Sequence, residues 1–221
     1  MIYSHKFLVP KSFPSAISSG FGTKFVSEND VQSPHISMNQ IHSTNVAYID
    51  DLLLEPVEDT DGTFSKNKDI SLIVRTADCV PILFYDEETG LIGASHQGWK
   101  GSLERVQQKM IRSFMSNGAQ AENIKVAIGP CIGACCYEIF GDRKKLFEKE
   151  FPTLTKNIFV ENNERTMLNL TRLNYELLLE SGISASNIEY SLECTSCHDS
   201  LFSSYNKSKE IRSMYSFIRK N

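Results

Sequence analysis

The chain has 221 residues, of which 41% are hydrophobic and 23% are charged, and its formal net charge is −4 at pH 7. This composition is typical of a soluble globular protein, and we expect one domain over residues 1–221. The charge gives no electrostatic reason to expect a nucleic acid or an anionic membrane as partner. No apolar run approaches the roughly 20 residues of a membrane-spanning helix. The N-terminus lacks the apolar core of an export signal, so we expect a cytoplasmic protein whose six cysteines are thiols.

The first patterned region predicts three neighbouring strands. Residues 70–79 read "ISLIVRTADC" and residues 80–86 read "VPILFYD", and both runs are rich in β-branched or aromatic side chains. The segment "EETG" at 87–90 is typical of a hairpin turn, and "LIGASHQ" at 91–97 then returns as a strand.

The hydrophobic period next changes to that of an amphipathic helix. Apolar side chains recur three to four residues apart, at Leu103, Val106, Met110 and Phe114. We expect one helix here, with Ser102 as its N-cap and Asn117-Gly118 at its end. The same reasoning predicts a second helix over about 171–181, a third that begins near Asp142, and a hairpin or loop at 162–165.

The two longer helices are followed by similar text. Residues 118–131 read "GAQAENIKVAIGPC" and residues 182–195 read "GISASNIEYSLECT". The similarity is either a coincidence between two ordinary helix-to-strand connections or a sign of two related αβ halves, each with its own sheet. The second interpretation predicts a layered α+β body with helices outside and sheets facing inward.

Cys79 and His96 each stand near the end of a strand-like run, where loops collect functional residues. Gln40 and His42 would share one face of another short extended segment. Cys79 is a packing residue, a nucleophile with His96 as its base, or one of three ligands of a metal ion. Two imidazoles and one thiolate suit zinc or copper, and three protein ligands leave a place for water, as in catalytic zinc sites. The residues alone leave these interpretations open.

The C-terminal region contains a second metal-type motif. Residues 194–198 read "CTSCH", the signature of covalent haem attachment, but such attachment normally needs an exported chain. A zinc knuckle would need a further ligand pair from among Cys131, Cys135 and Cys136, which only the tertiary fold could bring near. We therefore expect neither haem nor another metal at this motif.

Two further segments carry polar groups of interest. The glycines and proline of "GPCIGACCYEIF" at 129–140 predict an irregular turn that leaves Tyr137 and Glu138 near a pocket. Trp99 is either a buried aromatic anchor or a pocket wall, in which case Lys100 would reach a phosphate at the rim.

Taken together, several motifs resemble the YfiH/YlmD family, whose members have been called polyphenol oxidases or laccase-domain proteins and later purine nucleoside phosphorylases. The resemblance spans nearly the whole chain and keeps the order of the motifs. These are "QIH" at 40–42, "DG" at 61–62, "TADCVPIL" at 76–83, "SHQGWKG" at 95–101, "IGPCIGACCYEI" at 128–139 and "CTSCHDSLFSSYN" at 194–206.

The resemblance implies a metal site made of His42, Cys79 and His96, which would hold zinc, with copper as a second choice. It also implies an α+β fold of the layered α/β/β/α kind, with two stacked mixed sheets and outer helices. The implied activity is phosphorolysis of adenosine and inosine, accompanied by phosphorolysis of methylthioadenosine and deamination of adenosine. The partners would be a purine nucleoside and phosphate, and the protein would be a monomer or a homodimer.

Roles for other residues follow as hypotheses within that activity. For proton transfer we consider Asp78 or Glu138, and for phosphate Lys100 or Arg75. The expected substrate-binding residues are Gln40, Trp99 and Tyr137.

The sequence departs from the family pattern at three positions. Gln97 and Lys100 stand where the family usually has alanine and arginine, and Asn206 replaces the arginine of S-Y-R. Lysine keeps the charge but lacks the planar fork that binds phosphate through two N–H groups, so we expect phosphate contacts that differ from those of the family. Two other enzyme types stay open: a Cys79-dependent hydrolase or amidase acting on cell-wall precursors, and a copper-dependent phenol oxidase. A third alternative is a metal-dependent binding protein without turnover.

Overall fold

The computed structural model describes residues 1–4, 6–53, 55–210 and 212–221. The strands in these ranges are β1 (Ile2–Ser4), β2 (Phe7–Val9), β3 (Ile17–Gly22), β4 (His35–Ile36), β5 (Val46–Tyr48), β6 (Gly62–Ser65), β7 (Ser71–Thr76), β8 (Val80–Tyr85), β9 (Ile92–Gln97), β10 (Lys125–Ile128), β11 (Phe159–Asn162), β12 (Arg165–Leu168), β13 (Ile188–Tyr190) and β14 (Met214–Lys220). The α-helices are α1 (Trp99–Leu103), α2 (Val106–Ser116), α3 (Gly141–Glu150), α4 (Thr155–Ile158), α5 (Leu170–Glu180) and α6 (Tyr205–Ser208). Short 3₁₀ turns occur at Glu28–Asp30, Ala121–Asn123 and Ala185–Asn187.

Most of these strands form two mixed sheets. The first has the order β1-β2-β3-β14-β7-β4, and the second has the order β13-β10-β8-β9-β6-β5. In the first sheet β4 runs parallel to β7, and in the second β13 and β5 run parallel to their neighbours, whereas the other pairs are antiparallel.

The two sheets pack face to face, and the helices cover the second sheet. Leu72 of β7 and Leu83 of β8 belong to one buried cluster between the sheets. The alternate side chains of β8, such as Phe84, face the opposite side and pack in a second cluster with Phe114 of α2 and Leu177 of α5. The predicted α+β class with two stacked mixed sheets is therefore confirmed. The buried faces of α2, α3 and α5 lie on the outer side of the second sheet.

The predicted helix after β9 is divided at Arg105. Arg105 has φ +65°, in the left-handed region, so α1 ends before it and α2 begins after it. Its guanidinium pairs with Glu150 of α3 and Glu180 of α5 and lies 4.7 Å from the ring centroid of Phe151. The prediction that Ser102 is the N-cap is wrong, because Ser102 is buried within α1. The apolar period could not reveal a break that tertiary ion pairs stabilise.

The other predicted elements agree with the structure, except the extended segment expected at 40–42. That segment is a loop in which His42 has φ +59°, so strand alternation does not apply to it. The helix predicted over 171–181 is α5, and the helix predicted near Asp142 is α3. Residues 162–165 form the turn between the antiparallel strands β11 and β12, with Asn163 and Glu164 in the left-handed region. None of the helices in the described ranges is long and apolar enough to span a membrane.

The two similar connections lead into adjacent strands of a single sheet. Strand β10 follows α2, β13 follows α5, and the two strands pair in parallel with Val126 opposite Ile188. The side-chain amide of Asn187 donates to the carbonyl of Glu122 at 2.7 Å, so the two connections also contact each other. The prediction that each half has its own sheet is wrong. Both connections place a cysteine beyond a strand at the same edge, where Cys131 and Cys194 form a parallel bridge.

Candidate metal centre and cavity

Three residues far apart in the sequence bring potential ligand atoms together. His42 lies in the loop between β4 and β5, Cys79 lies between β7 and β8, and His96 lies near the end of β9. Each residue offers one ligand atom, and these atoms all lie within 4.8 Å of one another. Strands β8 and β9 pair so that Val80 faces Gln97, which explains why Cys79 and His96 become neighbours. The rings of His42 and His96 have centroids 4.7 Å apart.

The buried carboxylate of Asp61 fixes two of these three groups. Its Oδ1 lies 2.7 Å from His96 Nδ1, and it accepts hydrogen bonds from the backbone N–H groups of His42 at 3.2 Å and Ser43 at 2.6 Å. With a proton on Nδ1, His96 would donate a hydrogen bond to Asp61. Its Nε2 would then be the atom free to bind a metal ion. Asp61 directly precedes β6, which pairs with β9, so the sheet register carries the carboxylate to His96.

The two imidazoles have opposite pKa shifts. Burial by itself would lower the pKa of His96, but its hydrogen bonds with Asp61 and Cys79 outweigh burial and raise the pKa to about 9. Burial lowers the pKa of His42, and the positive charges of His96 and Lys100 act in the same direction. His42 is therefore neutral at neutral pH, whereas His96 must release a proton before it can bind a cation.

Unusual backbone conformations and a glycine allow His42, Cys79 and His96 to come close together. His42 and Asp78 both have positive φ, at +59° and +81°, although neither is glycine. A Cβ added at Gly98 would collide with His42 Nδ1 and lie 3.3 Å from Cys79 Sγ. Gly98 therefore leaves the space in which an imidazole and a thiol come together.

The donor set fits a transition-metal ion. Two imidazole nitrogens and one thiolate are ligands of catalytic zinc and of copper. The second contact of His96, to Asp61, is the type of outer hydrogen bond that orients histidine ligands. A three-ligand set also leaves a coordination position for water or substrate.

A cavity of about 690 Å³ opens next to these ligands. Its size lies within the usual range for small-molecule sites. The residues that line it include His42, Cys79 and His96 together with the sequence-predicted residues Gln40, Arg75, Asp78, Trp99 and Tyr137.

Two predicted residues lie outside this lining. Lys100 is exposed on α1, and its charge reaches the site only as an influence on His42. Glu138 lies 3.8 Å from the guanidinium of Arg165, and its backbone bridges to Met167. The structure thus does not bring Lys100 or Glu138 to the cavity wall.

Asp78 is tied down by hydrogen bonds from the C-terminal region. Its carboxylate accepts from Thr195 Oγ1 at 2.6 Å, from Ser204 Oγ at 3.1 Å and from the backbone N–H of Asn206 at 2.6 Å. Its own carbonyl accepts from the N–H of Ile132 at 2.9 Å. Asp78 therefore joins separate wall segments next to Cys79, which is a positioning function.

The side-chain amide of Gln40 pairs with the backbone of Arg75 through two hydrogen bonds, as a neighbouring strand would. The side chain of Gln40 accepts from the backbone N–H of Arg75 and donates to its carbonyl, both at 2.8 Å. One guanidinium nitrogen of Arg75 donates to the carbonyl of Met38 at 2.9 Å. The amide of Gln40 is thus engaged with the backbone, whereas the other guanidinium donors of Arg75 have no hydrogen-bond partner among the described residues.

Arg143 is a cavity residue that the sequence analysis missed. Its guanidinium carbon lies 4.4 Å from the ring centroid of Trp99, and its Nη1 lies 3.4 Å from the hydroxyl oxygen of Tyr137. Lys209, whose ammonium donates to the carbonyl of Asn206, also lines the cavity. In the sequence, Arg143 is one of three consecutive basic residues at the start of a polar helix, so no pattern separates it from solvated neighbours.

Comparisons with known proteins show which sequences this chain is similar to. Residues 23–221 match the family model described as "Multi-copper polyphenol oxidoreductase laccase". The chain is 31% identical over 175 residues to "Adenosine deaminase RL5" from an unknown prokaryotic organism, an alignment that covers 74% of this chain and 66% of the relative. It is 31% identical over 163 residues to "Purine nucleoside phosphorylase YlmD" from Bacillus subtilis (strain 168), with 72% and 58% covered. The chain thus spans about three fifths to two thirds of the length of these relatives.

Solved structures share the fold. The hypothetical protein YfiH from Bacillus licheniformis superposes with a TM-score of 0.84 at 25% identity, and the match covers 93% of each chain. YlmD from Geobacillus stearothermophilus superposes with a TM-score of 0.89 at 23% identity over 100% of this chain and 98% of the other. The resemblance to YfiH and YlmD predicted from the motifs is confirmed.

Proposed function

Since the chain belongs to the multi-copper polyphenol oxidoreductase laccase family, we propose that it is a zinc-dependent purine nucleoside phosphorylase acting on adenosine and inosine. Phosphorolysis of methylthioadenosine and deamination of adenosine are proposed as accompanying activities. The observation that carries the proposal is one cavity in which the ligand set His42, Cys79 and His96 stands beside two arginines and three aromatic residues, which are Trp99, Tyr137 and Tyr205. The names of the relatives, a purine nucleoside phosphorylase and an adenosine deaminase, support both reactions.

His42, Cys79 and His96 would hold the metal, and Asp61 orients His96 for that purpose. Bound there, Zn²⁺ would supply Lewis acidity next to the substrate. The buried Asp61 carboxylate keeps the loop of His42 in place through backbone N–H groups, so the ligands are preorganised.

Arg143 and Arg75 are our choice for phosphate. A guanidinium presents parallel N–H groups that match two phosphate oxygens, and both arginines line the cavity. The guanidinium of Arg143 also stacks on the Trp99 ring and donates to the Tyr137 hydroxyl, and these contacts limit its orientation. In phosphorolysis a phosphate oxygen forms a bond to C1′ of the ribose while the bond from C1′ to the base nitrogen breaks and its electron pair leaves with the base.

The departing base needs a proton, and we assign its source to Tyr137 rather than Asp78 or Glu138. Burial raises the pKa of Tyr137, so its hydroxyl keeps a proton at neutral pH. The carboxylate of Asp78 already accepts three hydrogen bonds from the chain, which suits a residue that positions the wall. The rings of Tyr137 and Trp99 add a flat apolar surface suited to a purine.

Product analysis of adenosine and inosine with and without phosphate tests the activity. Free base formed only with phosphate supports phosphorolysis, and inosine formed from adenosine without phosphate supports deamination. An Arg143→Ala variant should raise the KM for phosphate roughly 10- to 100-fold, the effect of losing a hydrogen bond to a charged group. Lys145→Ala on the same helix is the matched control, because Lys145 is exposed and its ion pair among the described residues is with the local Asp142. An unaltered KM in Arg143→Ala would remove this residue from the phosphate site.

A Cys79-dependent hydrolase or amidase is the second candidate, because Cys79, His96 and Asp61 also form a chain of the nucleophile–base–carboxylate kind. That candidate expects inactivation by alkylating agents and none by chelators. The neighbouring His42 favours the metal over this alternative, since a thiol nucleophile needs only one imidazole. The zinc proposal expects chelators to abolish turnover and added Zn²⁺ to restore it.

A phenol oxidase would use copper at the same three ligands, a set that copper also accepts. Multicopper oxidation needs further imidazoles close by. Among the described residues, the other histidines are His35 and His198, which pair with Glu28 and Glu193 away from the cavity. Nucleoside turnover by protein that contains zinc and no copper would separate the two activities.

A further inference from the structure

Four cysteine sulfurs meet at the surface formed by two turns. Cys135 and Cys136 lie in the turn after β10, and Cys194 and Cys197 lie in the turn after β13. Their four sulfurs all lie within 4.8 Å of one another. Cys197 Sγ is 3.4 Å from both Cys135 Sγ and Cys136 Sγ, far beyond the length of a disulfide bond, which is about 2.05 Å.

These separations suit four ligands of one tetrahedral ion. With zinc–sulfur bonds of about 2.3 Å, tetrahedral geometry places the sulfurs about 3.8 Å apart. Cys194 is buried, Cys136 is half-buried, and Cys135 and Cys197 are exposed, so an ion could enter from solvent. The ammonium of Lys207 pairs with Asp199 at 2.7 Å and also acts electrostatically on Cys136 and Cys197.

The protein itself holds the two turns together. The N–H of Thr195 donates to the carbonyl of Cys131 at 3.0 Å, and the N–H of Gly133 donates to Cys194 Sγ at 3.2 Å. Such N–H groups aimed at sulfur stabilise a thiolate ligand. A Cβ added at Gly133 would lie 3.2 Å from Cys135 Sγ and 3.4 Å from Cys194 Sγ, so glycine provides the room for this approach.

We propose that Cys135, Cys136, Cys194 and Cys197 form a structural tetrathiolate zinc site, separate from the site at the cavity. Four bonds from sulfur to Zn²⁺ form as the four thiol protons pass to solvent. All four coordination positions are filled by protein, which is the pattern of structural and not catalytic zinc. The sequence expectation of no metal at this motif assumed that the second cysteine pair would lie elsewhere, and the parallel pairing of β10 with β13 brings it near.

The site would fix one wall of the cavity. Ile132 and Tyr137 of the first turn region line the cavity, and Thr195 of the second turn holds the carboxylate of Asp78. A zinc ion across these turns would join segments about 60 residues apart in sequence, as shown by the pairing of Cys131 with Cys194.

The test is metal analysis in a Cys79→Ser background, in which the cavity site lacks its thiolate. This protein, purified with Zn²⁺, should keep about one zinc per chain, and Co²⁺ substitution should give thiolate-to-cobalt charge-transfer bands. A further Cys197→Ser or Cys135→Ser change should remove both signals. Cys131→Ser is the matched control, because Cys131 Sγ contacts Thr171 Oγ1 at 3.1 Å and is outside the four-sulfur cluster.

A second readout covers variants that fold poorly. In the otherwise unchanged chain, Zn²⁺ should protect Cys135 and Cys197 from alkylation, and a chelator should expose them, as read by mass spectrometry of peptides. The proposal is overturned if zinc content does not respond to the Cys197 and Cys135 changes, or if the four cysteines are recovered as disulfides from freshly purified protein. None of these readouts depends on nucleoside turnover, so failure of the proposed function would leave this test intact.

Discussion

The cavity ligands and the four-cysteine cluster are two solutions to bringing distant side chains together. His42 and Cys79 come from two loops and His96 comes from the end of β9, and together they offer nitrogen and sulfur beside an open cavity. The four cysteines come from two turns at one sheet edge and offer sulfur alone. The number and type of donors suit the first set to an ion that keeps a position for a reacting molecule, and the second set to an ion enclosed by protein ligands.

The two regions also differ in how the surrounding chain supports them. The cavity set has a buried carboxylate, Asp61, in contact with His96 and with the backbone of His42. The cysteine cluster has a backbone N–H aimed at Cys194 and a nearby ammonium from Lys207. A carboxylate increases the basicity and fixes the orientation of a ligand, whereas N–H groups stabilise thiolates already in place. We therefore expect chemistry to depend on the first region and folding stability on the second.

The largest expected effect is loss of turnover in Cys79→Ser. Removing one of three ligands should release the cavity metal and reduce nucleoside turnover by at least about 1,000-fold, since a bound metal contributes several kcal/mol to the transition state. Steady-state kinetics and metal analysis on the same preparation would check this. Cys131→Ser is the control for introducing serine in place of a buried cysteine. Full turnover in Cys79→Ser would remove the thiolate from the mechanism.

The next effect concerns Asp61→Asn. Loss of the carboxylate beside His96 Nδ1 should weaken metal affinity at the cavity by about 10- to 100-fold, as expected for an outer partner of a histidine ligand. Competition with a chromophoric chelator would measure the affinity. The same variant should leave zinc at the four cysteines unchanged, and equal loss at both sites would indicate general unfolding instead.

The next prediction concerns the pH dependence of metal affinity at the cavity, where each single pH unit should have a smaller effect than the Asp61→Asn change. In the metal-free protein the pKa of His96 is raised to about 9, mainly because Asp61 and Cys79 oppose the effect of burial. Below that pH the imidazole must lose its proton on binding, so affinity should fall by about tenfold for each pH unit from this group. Titrations across neutral pH would show the slope. An affinity independent of pH between neutrality and pH 9 would contradict the protonated His96.

The smallest effect on turnover is expected for Cys197→Ser. Among the described residues, Cys197 Sγ has hydrogen-bond contacts only with the cluster sulfurs of Cys135 and Cys136, and the hydrogen bonds of Thr195 with Cys131 and of Ile132 with Asp78 would still hold the cavity wall after the zinc is lost. Turnover should therefore fall by no more than about tenfold, far less than in Cys79→Ser. The midpoint of thermal unfolding should fall, and added Zn²⁺ should no longer raise it. A loss of turnover as large as that of Cys79→Ser would erase the proposed difference between the two regions.

Local patterns in the sequence predicted many of the elements. Strand runs at 70–86, the helix over 171–181 and the hairpin at 162–165 follow from periodicity and turn residues, which act over a few positions. The break at Arg105 was not predictable, because its left-handed conformation depends on contacts with Glu150 and Glu180 that are distant in sequence.

The site residues also fall into those that the sequence identified and those that only the tertiary fold brings together. His42, Cys79 and His96 were identified through the family motifs, and local spacing alone left their role open. The roles of Arg143 and Asp61 depend on which strands and helices pack together, and neither residue has a local signal beyond the short "DG" motif. The four-cysteine cluster was missed for the same reason, since its two halves meet only through the parallel pairing of β10 and β13.

One measurement tests the central claim most directly: the rate of adenosine and inosine turnover in protein stripped of metal by a chelator and then supplied with one equivalent of Zn²⁺ at a time. We predict that stripped protein is inactive and that activity returns as zinc fills the cavity site. Stripped protein that converts either nucleoside at the rate of the untreated protein would contradict the account.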